Sequence, residues 1–474
     1  MSSEQAFGPV PQQTNILWSR HLACYSYVFR TGFRACSTTD KYFCAGKMPA
    51  IVMSSPLLKR ELGVFGATLM GLGSIVGTGV FVSIGIAAEV AGPGVILAVC
   101  IAAFVAVCNG LNSAQLAANH PVSGGTYEYG YKYLNPWLGF TAGWMFLLAK
   151  TASAATAALG FAGYFLNAVG VADRTYLILT ALVALAAITL IVLTGIRRSN
   201  IANTVIVSVT LLSLAVFVAV GLPEVRWEIA TVQNDSSIGS ILQATALMFV
   251  AYSGYARIAT MSEEVREPRE TIPKAIIFTL VLTMLLYVGV AVVVAGAGGA
   301  DKLSLPGGTA APLEVIARSF PIPGVSQLLA VGAITAMLGV LLNLILGLSR
   351  IWLAMGRRLD MPRVLARLNP EGTTPYVAVV VVEVTIALLI LLGDVKTTWS
   401  FSAFSVLIYY AITNLAALQL SPAERLYPQW LAWVGLGNCL FLAFWVERQI
   451  WLTGLALIAA GLIWRAIVRL PARN

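Results

Sequence analysis

The sequence predicts an all-α integral membrane protein with about twelve transmembrane helices. Of its 474 residues, 58% are hydrophobic and only 11% are charged, whereas soluble proteins have about 25% charged residues. Uncharged runs of about 20 residues, the length of a membrane-spanning helix, follow one another from Leu62 onwards. Basic residues are concentrated in alternate loops, which indicates an even number of spans with both termini in the cytoplasm.

The composition also excludes several classes of function. The net charge of +9 comes from basic residues that lie singly or in pairs between apolar runs, so we expect no nucleic acid as a partner. The six cysteines have no zinc-type spacing. The two histidines, His21 and His120, are not placed for a triad or a metal cluster. We therefore predict no catalytic residue, no metal site and no enzyme.

Residues 1–55 differ from the rest of the chain, because they are acid-poor and contain no apolar run long enough for a signal peptide. Two interpretations stay open. The segment is either a disordered or organelle-targeting leader, or the result of an upstream start, with Met48 or Met53 as the working initiator. We prefer the second interpretation and expect no function from the segment.

The apolar runs set the positions of the spans. We predict them at residues 64–90, 94–119, 137–168, 175–196, 201–222, 239–262, 273–297, 326–355, 375–393, 399–420, 430–446 and 450–468. Between the seventh and eighth spans, the amphipathic pattern of residues 312–320 predicts a short helix on the outer surface.

Two spans contain an interruption rich in glycine. The first is "GSIVGTGVF" at residues 73–81, and the second is "AYSGYA" at residues 251–256. Five spans lie from one interruption to the start of the next, so the second unit is inserted upside down relative to the first, as in many secondary transporters. This predicts a first repeat at 56–222, a second, inverted repeat at 238–420, and two additional spans with a short cytoplasmic tail at 428–474.

Broken helices meeting near the middle of the bilayer can bind a ligand through their backbone. The N–H groups of a half-helix bind an anion such as a carboxylate, and freed carbonyl groups bind an ammonium group. An amino acid carries both groups, whereas a polyamine or another organic cation uses only the carbonyls. Alternatively, the glycines permit close helix packing. A phosphate-binding loop is disfavoured, because "GLGSIVGTG" lacks the Lys-Ser/Thr ending and no strand precedes it.

Lys150 lies near the middle of the third span, where a charge costs at least about 2.5 kcal/mol. Ionisable residues in such places usually face a cavity, so we predict that Lys150 lines the substrate or ion path and takes part in coupling. The alternative is a structural lysine paired with the carbonyl end of a helix. The charges of Arg257 and Glu383 are also energetically costly within the membrane. We expect a structural role for Glu383.

Several segments resemble the amino acid-polyamine-organocation superfamily. They are "GVFGATLMGLGSIVGTGVF", "PVSGGTYEYGYKYLNPWLGFTAGW", "FVAYSGYARIATMSEEVREPRETIPKAI" and "LGLSRIWLAMGRRLDMP". The chain is especially similar to bacterial amino acid permeases and to cationic amino acid transporter-like proteins. The resemblance covers residues 58–420 and implies a LeuT-type fold, with five plus five inverted helices, discontinuous helices 1 and 6, and two further helices.

The resemblance also implies the site residues. Ile75, Gly77, Thr78 and Gly79 would line the carboxylate side, Ala251, Ser253 and Gly254 would offer backbone to the amine, and Tyr255 would be an aromatic lid. Glu263 and Glu264 would close a cytoplasmic gate with Lys59 or Arg60. The chain departs from the family at two places. Thr210 occupies the candidate ion-site position, where proton-coupled relatives often have Lys. Many relatives have an acidic residue after the aromatic residue of the sixth span, whereas in this chain Tyr255 is followed by Ala256 and Arg257.

Together these observations predict a secondary active transporter in the cell membrane that moves amino acids by alternating access. Uptake or exchange is expected to be coupled to H⁺ or Na⁺, with no other cofactor. A polyamine or other organic amine transporter is the alternative, and a channel or a membrane-embedded enzyme represents the other classes. The amino acid and the lipid bilayer are the expected partners, and the sequence leaves side-chain specificity and oligomeric state open.

Overall fold

A computed structural model describes residue 60 and residues 62–122, 124–171, 173–194, 200–228, 237–297, 311–370 and 374–469, with the side chains of residues 200–202 excepted. The predicted leader, residues 1–55, and Lys59 lie outside the described residues. Both interpretations of the leader therefore stay predictions.

The described part of the chain is nearly all helical. Its helices are α1 (Val64–Ile75), α2 (Thr78–Phe81), α3 (Ser83–Ala91), α4 (Val95–Asn119), α5 (Thr126–Tyr129), α6 (Pro136–Ala168), α7 (Arg174–Leu193), α8 (Asn200–Gly221), α9 (Ile238–Tyr252), α10 (Ala256–Thr260), α11 (Pro268–Gly296), α12 (Pro312–Ala317), α13 (Val325–Arg357), α14 (Tyr376–Leu392), α15 (Val395–Leu418), α16 (Trp430–Ala443) and α17 (Arg448–Arg469). The predicted short helix at 312–320 is present as α12, but its surface position is wrong, because five of its six residues are buried against the rest of the protein.

Ten helical stretches in the described ranges are long and apolar enough to cross a membrane. The apolar helices α14 and α16 are shorter, with 17 and 14 residues. With these two, every one of the twelve predicted spans coincides with a helix or with helices in tandem. The protein is therefore a multi-pass, all-α membrane protein, as the sequence predicts.

Local capping chemistry moves some helix ends away from their predicted positions. The tenth span begins at Val395 rather than at residue 399, because the Asp394 side chain accepts a hydrogen bond from the Thr397 N–H. The seventh span begins at Pro268 rather than at residue 273, with proline in the first helical position, where a missing N–H group costs nothing. Hydropathy alone does not register either signal.

Both predicted interruptions are present. α1 ends at Ile75, Gly77 leaves the helical conformation (φ −170°, ψ −120°), and the helix resumes as α2 and α3. α9 ends at Tyr252, and Ser253–Tyr255 form a 3-10 turn before α10. The first interruption is a full break, whereas the second is a tightened turn.

Helices at corresponding positions of the two halves of the chain pack against each other. The second span, α4, packs along the seventh, α11, and the third, α6, packs along the eighth, α13. α6 also packs along α15, the tenth span. The two interrupted spans meet between these pairs, where the turn Ser253–Tyr255 packs against α1. This arrangement confirms the LeuT-type fold.

On the side of the molecule where α1 begins, the chain before α1 pairs with the chain after α10. The Leu62 N–H donates to the Glu264 carbonyl (3.0 Å), and the Arg266 N–H donates to the Leu62 carbonyl (2.9 Å). The predicted excess of Lys and Arg lies on this side. We call it the basic side, formed by residues 60, 62–63, 120–122, 124–135, 261–267, 358–370 and 419–429.

Candidate functional site

The interruption of the first span presents backbone N–H groups at the start of α2. The N–H groups of Val80 and Phe81 both donate to the Gly77 carbonyl (3.1 Å each), so the new helix starts at Gly77. Helical backbone at Val82 joins α2 to α3, which makes one longer half-helix. N–H groups in the first turn of a helix have no acceptor within it, and the helix dipole adds positive charge there. The break can therefore hold an anionic group.

The carbonyl groups beside the two interruptions receive hydrogen bonds from tyrosines of other helices. The Tyr287 hydroxyl donates to the Ile75 carbonyl (2.9 Å) and lies 3.5 Å from the Ala251 carbonyl oxygen. The Tyr410 hydroxyl donates to the Ser253 carbonyl (3.1 Å). Carbonyl oxygens have two lone pairs, so each retains capacity for a ligand's ammonium group.

The two interruptions touch each other through backbone. A Cβ atom added to Gly254 would lie 2.4 Å from the Ser74 carbonyl oxygen, and one added to Gly79 would lie 3.0 Å from the Ala251 Cα atom. Only residues without a side chain permit these approaches. The glycines therefore serve close helix packing, and that packing brings the backbones of the two interruptions into contact.

Two adjoining cavities lie where the interruptions meet. The break cavity has a volume of about 350 Å³ and lies between the interruptions. The vestibule has a volume of about 510 Å³ and extends along α10 and α13 towards the basic side. The residues that line both cavities are Ser74, Lys150, Ser253, Gly254, Val340 and Leu344.

Thr78 is a buried polar residue of the break cavity. Its side chain is only 3% exposed, and its hydroxyl makes no hydrogen bond with any of the described residues. Leaving a buried hydroxyl group unpaired costs about 1–3 kcal/mol. A polar atom of a ligand in the cavity would remove this cost.

Lys150 reaches the second interruption. Its Nζ atom donates to the Ser253 hydroxyl (3.2 Å), and the side chain lines both cavities. The Ser253 hydroxyl in turn donates to the Val250 carbonyl (2.8 Å). The contact is with a hydroxyl group rather than with the carbonyl end of a helix. The role of Lys150 in the substrate or ion path stays a prediction.

Most of the residues that the resemblance assigns to the substrate come together in the structure. Those that line the break cavity are Ile75, Thr78, Gly79, Ala251, Ser253 and Gly254. Gly77 lies in the first break itself, where an added Cβ atom would be 2.5 Å from the Val340 Cγ2 atom. Their roles in binding stay predictions.

Two further predicted residues lie away from the lining of these cavities. Tyr255 is fully buried, with its ring centroid 5.5 Å from that of Tyr410, and it is not among the lining residues of either cavity. Thr210 is also buried and outside both linings, and its hydroxyl donates to the Ile206 carbonyl (2.7 Å) within α8. The ion-site role of Thr210 stays a prediction.

The predicted gate residues Glu263 and Glu264 form a 3-10 turn on the basic side. The Glu264 carbonyl accepts the Leu62 N–H, so backbone atoms join this turn to the segment before α1. The Arg60 carbonyl accepts from the Arg266 guanidinium (3.2 Å). The two segments that the gate requires are thus in contact, and the pairing of acidic with basic side chains stays a prediction.

Several lining residues were not predicted from the sequence. They are Phe146 and Ser153 on α6, Asn343 and Leu344 on α13, and Trp399 on α15. Trp399 is 2% exposed, and its indole N–H donates to the Leu247 carbonyl (3.0 Å). An isolated amide or hydroxyl residue in an apolar span is a signal that could have found Asn343 and Ser153, but nothing local distinguishes Leu344 or Trp399 from other apolar residues.

Comparison with known proteins agrees with this arrangement. Residues 66–473 match the model of a family described as amino acid permease. An uncharacterized transporter of Mycobacterium tuberculosis is 38% identical over 422 residues, which cover 88% of this chain and 93% of the relative. A branched-chain amino acid permease of Bacillus subtilis is 31% identical over 68% of this chain and 72% of its own length. The mouse cationic amino acid transporter 4 is 29% identical over 77% and 61% of the two chains.

The matched family and the named relatives are transporters and not enzymes. The match includes both interruptions and both cavity linings, and extends from α1 to the end of α17. The chain belongs to the amino acid permease family.

Proposed function

We propose that the protein is a secondary transporter that carries amino acids across the cell membrane by alternating access. The proposal rests chiefly on the break cavity, whose lining includes residues at the start of one half-helix and residues at the end of another. The first favours a carboxylate, and the second favours an ammonium group. A zwitterion satisfies both, and the buried Thr78 hydroxyl provides a further polar contact.

The mechanism we propose uses the two five-helix repeats at 56–222 and 238–420. One bundle of helices rocks against a scaffold around the break cavity, and the interrupted helices act as gates. The backbone pairing of Leu62 with Glu264 would open when the site faces the basic side. We assign the basic side to the cytoplasm by the positive-inside rule, which leaves α12 on the outer side.

We also propose that transport is coupled to H⁺ or Na⁺. Lys150 is the candidate for coupling, because it contacts Ser253 at the second interruption and lines both cavities. Its ammonium group can release a proton or stand in the place of a metal cation. Thr210 remains the candidate for the ion position in span five.

Reconstitution tests the proposal directly. Purified full-length protein in proteoliposomes loaded with unlabelled amino acid should accumulate labelled amino acid by counterflow, and imposed proton and sodium gradients should each be tested alone. Saturable counterflow with chemically unchanged substrate supports a transporter over a channel or an enzyme. Because one relative of this chain, 29% identical, is named a methylthioribose transporter, the panel should include that sugar and a polyamine. Uptake of either in place of every amino acid would contradict the proposal.

A further inference from the structure

Residues 357–367, at the end of α13, present both basic and apolar side chains on their surface, and we call this segment the arginine loop. Arg363 and Arg367 are exposed, and so are Leu359 and Val364, at 39% and 40%. At a membrane boundary, basic groups contact lipid head groups and apolar groups contact acyl chains. The mixture of exposed side chains therefore favours a position at this boundary.

Packing fixes the shape of the arginine loop. Its residues Arg363–Ala366 form a 3-10 turn, in which Leu365 is buried, as is Met361 before it. A Cβ atom added to Gly356, in the last turn of α13, would lie 3.2 Å from the Ala366 backbone nitrogen. Because the turn packs directly against α13, the backbone that carries its arginines has a defined position.

The arginine loop also contacts the end of the last span. The Arg469 guanidinium donates to the Arg358 carbonyl (3.4 Å), and the Trp464 indole N–H donates to the Asp360 carbonyl (3.1 Å). Arg469 is the last residue of α17, and tryptophan is enriched where a span leaves the membrane. The loop is therefore held at the level at which α17 passes from the acyl chains to the head groups.

Other side chains in the last turns of α17 face the lipid. Ile463 and Ile467 are 60% and 59% exposed on this apolar span. Ile467 precedes Arg469 by two residues, or about 3 Å along the helix. Acyl chains along this face would thus end beside the arginine loop, and the phosphate group of the same lipid would lie among its guanidinium groups.

Positive charge exceeds negative charge in the sequence around the arginine loop. Residues 357–374 contain four arginines and two acidic residues, and residues 460–469 contain two arginines and no acidic residue. The excess stays positive when Glu128, the partner of Arg358, is counted as well. The Asp360 side chain has no exposed surface, so it does not meet a ligand outside the loop. An anionic group is therefore attracted to this place.

We propose that the arginine loop and the end of α17 bind an anionic phospholipid of the leaflet on the basic side. Guanidinium groups match the geometry of phosphate oxygens and bind them through paired hydrogen bonds, while the acyl chains lie along Ile463 and Ile467. A soluble anion would use the charges but not the exposed apolar side chains, so the structure favours a lipid. The inference does not depend on which substrate the protein transports.

The test measures the midpoint of thermal unfolding of the full-length protein in detergent, with added phosphatidylglycerol, phosphatidylcholine or inorganic phosphate. A ligand that binds only the folded state raises this midpoint as its concentration increases. We expect phosphatidylglycerol to raise the midpoint, and the other two additives to change it little at the same concentrations. Equal stabilisation by phosphatidylcholine would overturn the role of charge, and equal stabilisation by inorganic phosphate would overturn the assignment to a lipid.

Substitution of the exposed arginines locates the site. Arg363→Gln combined with Arg367→Gln should raise the phosphatidylglycerol concentration that gives half of the stabilisation by about 25-fold, since each basic group near a membrane surface contributes about fivefold. Arg363→Lys combined with Arg367→Lys keeps both charges and should retain most of the affinity, with some loss because lysine lacks the planar fork of arginine.

The matched control is Arg269→Gln combined with Lys274→Gln. It removes two exposed basic residues from the first turns of α11, next to the basic side, and should leave the affinity for phosphatidylglycerol unchanged. The midpoint without lipid shows whether each variant is folded. If the double arginine variant does not fold, Arg363→Gln and Arg367→Gln alone provide the same comparison, at about fivefold each. Unchanged affinity in the folded arginine variants, or an equal loss in the control, would overturn the inference.

Discussion

At the scale of single residues, the contact between Gly254 and Ser74 decides how closely the two interruptions approach. A Cβ atom at residue 254 would lie 2.4 Å from the Ser74 carbonyl oxygen and 2.6 Å from its carbonyl carbon. Backbone cannot move aside as the end of a flexible side chain can. The geometry of the break cavity therefore depends on the absence of a single methyl group.

We expect Gly254→Ala to reduce amino acid uptake by about tenfold or more, because overpacking of this kind costs about 1–3 kcal/mol. The measurement is the initial rate of uptake in proteoliposomes at equal amounts of inserted protein. Gly437→Ala is the control, because an added Cβ atom in this exposed part of α16 meets nothing within 4 Å. Equal rates for the two variants would show that the close approach at Gly254 is unimportant for transport.

Lys150 is the second residue whose role can be tested alone. We expect Lys150→Met to keep a folded, inserted protein, since methionine fills similar apolar space, but to lose accumulation driven by an ion gradient. The measurement compares uptake with and without imposed proton and sodium gradients. Lys274→Met is the control, because Lys274 forms an exposed pair with Glu270 (3.1 Å), a kind of pair worth about 0–1 kcal/mol. Normal gradient-driven accumulation by Lys150→Met would exclude a coupling role.

At the scale of elements, the short helix α12 is held against the half-helix that follows the first break. Pro312 packs on Gly85 of α3, where an added Cβ atom would lie 2.3 Å from the Pro312 Cβ atom. Glu314 of α12 is 3% exposed and pairs with Arg318 (3.1 Å), which donates also to the Asn167 carbonyl (2.7 Å). A movement of the first-span half-helix therefore has to displace α12 or carry it along.

Burial raises the pKa of the Glu314 carboxyl group, and the hydrogen bonds and charge of its neighbours, Asn167 and Arg318, only partly oppose this shift. The pKa of Glu314 is higher while α12 packs against α3 than after α12 has separated from it. The packed state is therefore favoured at low pH, and it loses this advantage as the pH rises through the pKa of Glu314 in the packed state. We therefore expect the hydrogen-exchange protection factors of α12 to fall as pH rises above the ordinary value of 4.5. Glu314→Gln should remove this dependence, and Glu224→Gln, an exposed acid on the same side, should keep it. A pH dependence that persists in Glu314→Gln would assign the effect to another group.

The elements were predictable because the signals that specify them are local. Apolar runs and glycine clusters specify the spans and the interruptions within about 20 residues of sequence, and the structure contains all of them. The cavity lining depends on which faces of distant helices meet. Trp399 lines the break cavity, although the sequence around it shows only an apolar run. Conversely, the resemblance implies that Tyr255 is a lid, but Tyr255 packs against Tyr410 outside both linings.

At the scale of the whole molecule, Asp360 connects its own loop on the basic side to two segments that are distant in the sequence. Its carboxylate accepts hydrogen bonds from Tyr127 (2.8 Å) and Tyr131 (2.5 Å) between the second and third spans. It also accepts from Arg465 (3.0 Å) and Arg469 (3.1 Å) of the last helix, α17. The Asp360 side chain has no exposed surface, and that of Arg465 is 4% exposed. This cluster fixes α17, which lies outside the two repeats, to the repeat core.

The sequence alone could not reveal this cluster, because Asp360 and Arg465 are separated by 105 residues. Asp360 follows Arg357 and Arg358 in a loop that resembles any other charged, solvated loop. The hydropathy pattern predicts α17 as a span but contains no information about the surface against which it packs.

We expect Asp360→Asn to destabilise the protein by about 3–5 kcal/mol, because it leaves the Arg465 guanidinium buried without a counter-charge. The measurement is the midpoint of thermal unfolding in detergent, followed by size-exclusion chromatography. Lys396→Gln is the control, because it removes a partly exposed pair with Glu89 (3.2 Å) and should cost about 0–1 kcal/mol. Arg469→Gln should fall between the two, since Arg469 is half exposed and Arg465 remains to neutralise Asp360.

The same three variants separate an attachment role from a role in transport. If the cluster only fixes α17 to the core, the Asp360→Asn protein that remains folded should transport amino acids at the normal rate per molecule at a temperature well below its midpoint. A slowed rate in folded protein would instead mean that the cluster takes part in the rocking movement, because Asp360 and Tyr127 belong to segments adjoining the third and eighth spans. An equal midpoint for Asp360→Asn and Lys396→Gln would contradict the stabilising role of the buried pair itself.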